Sequence, residues 1–118
     1  MNYYSLNNIA PTTTFENAVI KGLAPDRGLY FPEKITPLDA SFFENIENLS
    51  NETIAFEAIK QFISPEIPEA VLKTIVSETL SFDFPVVKLT KSISTLELFH
   101  GPTMAFKDVG ARFMARCL

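Results

Sequence analysis

The stretch LELFHGPTMAFKDVGARF, residues 96 to 113, gathers most of the side chains in this sequence that could do chemistry. Lys107 is an amine set among apolar and small neighbours, with Phe106 before it and Asp108 after it. His100, the only histidine, lies upstream and is followed by Gly101, Pro102 and Thr103. A lysine on a helix can lie with its methylenes over apolar neighbours and its ammonium in water. Near the positive end of a helix dipole, with apolar side chains around it, the same amine loses its proton more readily. The free base can then condense with an aldehyde cofactor or a carbonyl substrate. A direct pairing with Asp108 would oppose that shift, so the position of Asp108 matters. His100 either braces the turn before the helix or meets substrate and moves a proton.

GPTMAFKD also invites comparison with the phosphate-binding pattern GxxxxGK[ST]. It fails where the chemistry is most demanding. Phe106 stands where a second glycine would let the backbone approach phosphate, and Asp108 replaces the hydroxyl that would ligate Mg²⁺. Nucleoside triphosphate binding is therefore excluded as the reading of this lysine.

The elements around it must hold that segment in place. Thr103 is a good N-cap, and Phe106, Val109, Gly110, Phe113 and Cys117 recur at helical spacing, with Met114 beside them. A helix from Thr103 is expected, with free amides at its start that could receive an anion. Its last residues, Arg116, Cys117 and Leu118, bring no Gly, Asn or Pro stop, so the helix is expected to continue into a longer chain. The apolar side left uncovered there could bind a second copy of the chain. Upstream, Val86-Val87-Lys88-Leu89 and Leu96-Glu97-Leu98-Phe99 are brief strand candidates, either a hairpin or two neighbouring strands.

Earlier still, the spacing predicts helices. Thr13 and Glu16 fit a capping box ahead of Phe15, Ala18, Val19 and Ile20, with Gly22 as the stop. Pro25-Asp26-Arg27-Gly28 is a turn signal with Gly28 supplying a positive φ, and Leu29-Tyr30-Phe31 is an extended run closed by Pro32. Asp39 can cap a short helix carrying Phe42, Phe43 and Ile46. Ser50 can cap another that runs through Ile63, with Ile54, Ala58, Ile59 and Phe62 on one side. Pro65 ends it. Pro68 opens a third, whose Val71, Leu72, Ile75, Val76 and Leu80 form a broad apolar stripe.

Composition agrees with one small folded unit: 118 residues, 47% hydrophobic and 20% charged, with 11 Phe. A net charge of −4 with scattered Lys and Arg offers no basic surface for nucleic acid or anionic lipid. No apolar run approaches the ~20 residues that cross a bilayer, and the N-terminal MNYYSLNNIA has no signal-peptide pattern. Cys117, the only cysteine, can form neither an internal disulfide nor a CxxC metal site and reads as a small buried hydrophobe. No metal site is expected, and a cytoplasmic location is.

Three stretches together resemble one family. LELFHGPTMAFKDVGARFMARCL is similar to the lysine-bearing segment of threonine synthases, pyridoxal-phosphate enzymes of the fold type II (tryptophan synthase β-like) group. TFENAVIKGLAPDRGLYFPE resembles their N-terminal helix and GLAPDGGLY-type turn, and EIPEAVLKTIVSETLSFDFPV the segment between. Arg27 stands where Gly is common, and YYSLNNIAPTTTF replaces a YxSTRG-like start. The resemblance implies an α/β fold class, here the mostly helical N-terminal part of a fold type II enzyme with a short strand region. Residues 1–118 would form that region as one unit, truncated and ending within the lysine helix.

It further implies that Lys107 is the catalytic and cofactor-binding residue, holding pyridoxal 5'-phosphate as an internal aldimine and carrying protons afterwards. His100, Gly101, Pro102, Thr103, Phe106 and Asp108 match its motif neighbours. The implied reaction converts O-phospho-L-homoserine and water to L-threonine and phosphate. The phosphate-binding loop and the partner of the pyridine nitrogen lie elsewhere in that family, so these residues alone are expected to be inactive. Two other readings stay open from the residues: another pyridoxal-phosphate β- or γ-lyase, and a small α+β interaction module in which Lys107 is structural.

Overall fold

The computed structural model describes residues 1–118. A short strand β1, Tyr3–Ser5, begins the chain. The helix α1, Phe15–Lys21, is capped one residue later than the spacing predicts: Thr14, not Thr13, accepts a hydrogen bond from the Asn17 amide. Thr13 is already engaged, its backbone exchanging two 2.8 Å hydrogen bonds with Tyr3. Glu16 does not reach back to close a box. Two amides at the start of α1, those of Phe15 and Glu16, donate instead to the carboxylate of Glu66, at 3.0 and 2.9 Å. The helix stops at Gly22 as expected.

The strand β2, Tyr30–Pro32, pairs antiparallel with β1, Ser5 opposite Tyr30. The turn between α1 and β2 differs from the sequence reading in one respect. Arg27 takes the positive φ, +66°, and Gly28 does not. Gly28 is needed for closeness: a Cβ there would lie 2.0 Å from the Ser5 hydroxyl. The Asp26 carboxylate gathers this corner, accepting from Ser5 Oγ at 2.6 Å and from the amides of Gly28, Ile9 and Ala10. Those bonds, led by that from Ser5, hold its carboxyl down at about 2.

A short helix α2, Ala40–Glu44, and a 3-10 turn, Ile46–Asn48, lead to the helical core. Asp39 precedes α2 but makes no side-chain capping bond. Ser50 does cap α3, Asn51–Ile63, accepting from the Thr53 amide at 3.2 Å. The inward face of α3 is set by Phe56 and Ile63, with Ala55, Ile59 and Phe62 beside them, whereas Ala58 is exposed. Pro68 lies at the cap position, just before the helix α4, Glu69–Thr79. Leu72, Ile75, Val76 and Thr79 are buried on α4, and Val71, expected in the stripe, turns to solvent. Tyr3 anchors the N-terminal strand to this core by donating to the Phe62 carbonyl at 2.7 Å.

The hairpin of β3, Val86–Lys88, and β4, Ser94–Leu96, is antiparallel. The second strand starts earlier than the apolar pattern predicts because Leu89 and Thr90 amides close on the Ile93 carbonyl, which sets the register. All six strand residues are exposed. The final helix is α5, Asp108–Cys117. Only 13 of 118 residues are buried, and the radius of gyration is 16.5 Å against about 13.5 Å for a compact domain of this length. The chain is thus more open than its length and composition suggest. Val86, Met104 and Phe106 are among the large apolar side chains left in solvent. No helix is long and apolar enough to cross a membrane.

Candidate functional site

The site is the segment that joins β4 to α5. The Glu97 amide donates to the Pro85 carbonyl at 2.9 Å, extending the hairpin. Its carboxylate meets His100 Nε2 at 2.6 Å, and the His100 ring stacks on Phe99 with centroids 4.8 Å apart. Of the two roles open to His100, bracing the turn is the one this contact performs.

Thr103 does not cap α5. The chain first makes a turn in which the Met104 amide donates to the Gly101 carbonyl at 3.0 Å, with Met104 at φ +55°. A second turn follows, the Asp108 amide donating to Ala105 O at 3.0 Å. Only then does the helix begin, four residues after Met104. Its delay has a clear cause: the Thr103 hydroxyl and amide both donate to the Asp108 carboxylate, the amide at 2.9 Å. Thr103 therefore serves as a donor to the helix's first residue rather than as an acceptor for its amides. Gly101 makes room for this, since a Cβ there would lie 2.3 Å from Asp108 Oδ2.

Lys107 sits at the last position before α5, with φ −69° and ψ −14°, and its side chain is exposed. Its carbonyl accepts the first bond of the helix, from Ala111 N at 2.9 Å. It makes no ion pair. Asp108, the residue that could have neutralised it, is directed to Thr103 and is 5% exposed. The Thr103 hydroxyl bond first, then the Thr103 and Ala105 amides and the charge of Arg112, hold the Asp108 carboxyl below the usual carboxylate range. Phe106, expected on the helix's apolar side, lies outside the helix and in solvent.

Arg112 and Arg116, to which the sequence alone assigns no partner, seat α5. Arg112 Nη2 donates to the Glu78 carbonyl at 2.7 Å and to Ser81 Oγ at 2.9 Å, with its guanidinium 5.8 Å from the Phe82 ring centroid. Arg116 Nε donates to Glu78 Oε2 at 2.5 Å. Their i,i+4 spacing was a visible signal, but the partner in the last turn of α4 was not. Cys117 is half-buried, and burial pushes its thiol up. None of the cavities in the chain is lined by Lys107. No three His, Cys, Asp or Glu side chains come together as a metal site.

Residues 2–80 match the family described as threonine synthase N terminus. The chain belongs to that family. Threonine synthase from Serratia marcescens is 37% identical over 118 residues, all of this chain and 28% of the relative. That of Buchnera aphidicola subsp. Schizaphis graminum is 42% identical over 122 residues, again covering all of this chain and 28% of the relative. Among solved structures, Escherichia coli threonine synthase superposes with a TM-score of 0.93 at 36% identity, covering 100% of this chain and 28% of that one. The pyridoxal-phosphate-bound threonine synthase of Brucella melitensis gives a TM-score of 0.92 at 36% identity, covering 98% of this chain and 26% of that one. The mostly helical architecture with a small antiparallel strand region is therefore the N-terminal portion of the threonine synthase, fold type II architecture. The chain spans somewhat over a quarter of the length of the relatives it matches, 28% in the first.

Proposed function

We propose that residues 1–118 are the N-terminal region of a threonine synthase, in which Lys107 covalently holds pyridoxal 5'-phosphate. The observation that carries this reading is the 36% identity and TM-score of 0.93 to a threonine synthase over the whole of this chain. The reaction of the complete enzyme is the conversion of O-phospho-L-homoserine and water to L-threonine and phosphate, in a cytoplasmic setting.

Lys107 fits the cofactor as far as its own chemistry reaches. Its amine is exposed and free of any carboxylate partner, and its backbone is held by the turn from Ala105 to Asp108 and by the first bond of α5. When bound, pyridoxal phosphate would supply an electron sink for negative charge developing on the substrate carbon that carries the amino nitrogen. Lys107 supplies the attachment point and, once released, an amine able to take and return a proton beside the substrate. His100, held by Glu97 and Phe99, orients the turn that leads to it. Nothing on this chain encloses the amine, so the ring and phosphate contacts belong to the remainder of the enzyme. By itself the segment is inactive under this reading, because positioning and electrostatics account for most of the barrier reduction.

The test uses the full-length protein. Treatment with pyridoxal phosphate and borohydride should modify Lys107 in strong preference to other lysines, as read by mass spectrometry. Phosphate release from O-phospho-L-homoserine should disappear in Lys107→Ala. Equal labelling of surface lysines such as Lys88 and Lys91, or an unaffected Lys107→Ala protein, would refute the assignment.

A further inference from the structure

We infer that Asp108 is a positioning residue for the Lys107 amine, acting through a clasp with Thr103 that closes the loop carrying the lysine; this rests on the reading of Lys107 as the cofactor-binding residue. Asp108 is the only carboxylate among the buried residues of the chain. A carboxylate is costly to bury unless its oxygens are hydrogen-bonded. Here both oxygens are engaged by one residue, Oδ1 by the Thr103 hydroxyl and Oδ2 by the Thr103 amide. An acidic residue that merely favoured the helix dipole would need no such partner. This one turns away from its own helix and grips the loop before it.

The consequence falls on Lys107. Residues 104 to 107 form the span between the two ends of the clasp, and Lys107 is its last member. The Asp108 amide bond to Ala105 O fixes the peptide after the lysine, and the Ala111 bond to Lys107 O fixes its carbonyl to the helix. Gly101 completes the arrangement because any larger residue would strike the carboxylate. The same clasp keeps the Asp108 charge directed at Thr103, so that it forms no ion pair with the neighbouring ammonium. Asp108 thus sets where the amine emerges and leaves it free of a carboxylate partner.

The experiment measures, in the full-length protein with pyridoxal phosphate, the rate of borohydride-trapped labelling at Lys107 per folded molecule. A pH titration of the bound cofactor's visible absorbance and a melting curve accompany it. Thr103→Val removes one hydroxyl with little change of shape and should slow labelling roughly tenfold to a hundredfold. Thr103→Ser should restore it. Asp108→Asn should act in the same direction and shift the midpoint of the absorbance titration. The double variant should be no slower than the worse single one, since both break one unit. Unchanged labelling and titration in folded Thr103→Val and Asp108→Asn, with only the melting temperature lowered, would overturn the inference and leave Lys107 as the attachment point. If Asp108→Asn does not fold, Thr103→Val decides alone. Absence of label at Lys107 in the unmutated protein would overturn the cofactor reading and this inference together.

Discussion

The Ser5 hydroxyl donates a 2.6 Å hydrogen bond to the Asp26 carboxylate, joining segments 21 residues apart in sequence. The amides of Ile9, Ala10 and Gly28 converge on the same carboxylate, so one side chain holds β1, the turn that follows it and the PDRG corner. The acidic group in the GLAPDRGLY stretch is therefore a structural hub.

Stability should consequently fall on acidification. The Asp26 carboxyl is lowered from an ordinary 3.8 to about 2. A group depressed in the folded state contributes stability above its unfolded pKa and loses it as pH falls through the folded value. The loss is expected between about pH 4 and pH 2, with Asp108 adding to it in the same direction. Urea midpoints measured across that range should drop, and Asp26→Asn should flatten the dependence while lowering the midpoint at pH 7.

Two substitutions in the neighbouring turn should have opposite signs. Arg27 adopts φ +66°, which costs an L-residue on the order of 1 kcal/mol, so Arg27→Gly should stabilise by roughly 0.5–1 kcal/mol. Gly28→Ala would put a Cβ 2.0 Å from Ser5 Oγ and should destabilise by about 1–3 kcal/mol. Equilibrium unfolding of the two variants checks both signs.

Glu66 caps a helix from some fifty residues away, accepting from Phe15 N at 3.0 Å and Glu16 N at 2.9 Å. Glu66→Ala should cost about 1 kcal/mol. Glu66→Gln, which keeps one acceptor, should cost less. Hydrogen exchange at the first amides of α1 should accelerate in the same order.

Arg112 holds α5 against the end of α4 through the Glu78 carbonyl and Ser81. Arg112→Ala should destabilise by roughly 1.5–3 kcal/mol, the worth of hydrogen bonds made by a charged donor. Exchange protection should fall in α5 more than in α3. Equal loss in both helices would mean that α5 is not held locally by this contact.

Local signals served the helical middle well. Ser50 at the cap, the end at Ile63 and the buried Leu72, Ile75 and Val76 were legible because they depend on neighbours one turn away. Val71 and Ala58 were misplaced because periodicity marks an apolar side without telling which edge of it meets another helix. Thr13 lost its capping role to Thr14 because Tyr3, far upstream, took its backbone.

The site divides in the same way. By itself the sequence determined that one lysine stands in a Gly-Pro-Thr…Phe-Lys-Asp segment between a strand region and a helix, and that this segment resembles the lysine segment of threonine synthases. Those are properties of residue identity and order. Only the tertiary structure decided that Thr103 serves the Asp108 carboxylate, that the helix starts after Lys107, and that Asp26 and Glu66 tie distant turns together. Thr and Asp can each cap a helix or brace a loop with the same hydroxyl or carboxylate. Which bond forms depends on how closely the folded backbone brings their partners, as at Gly101 and Gly28, and that proximity is not written in local spacing.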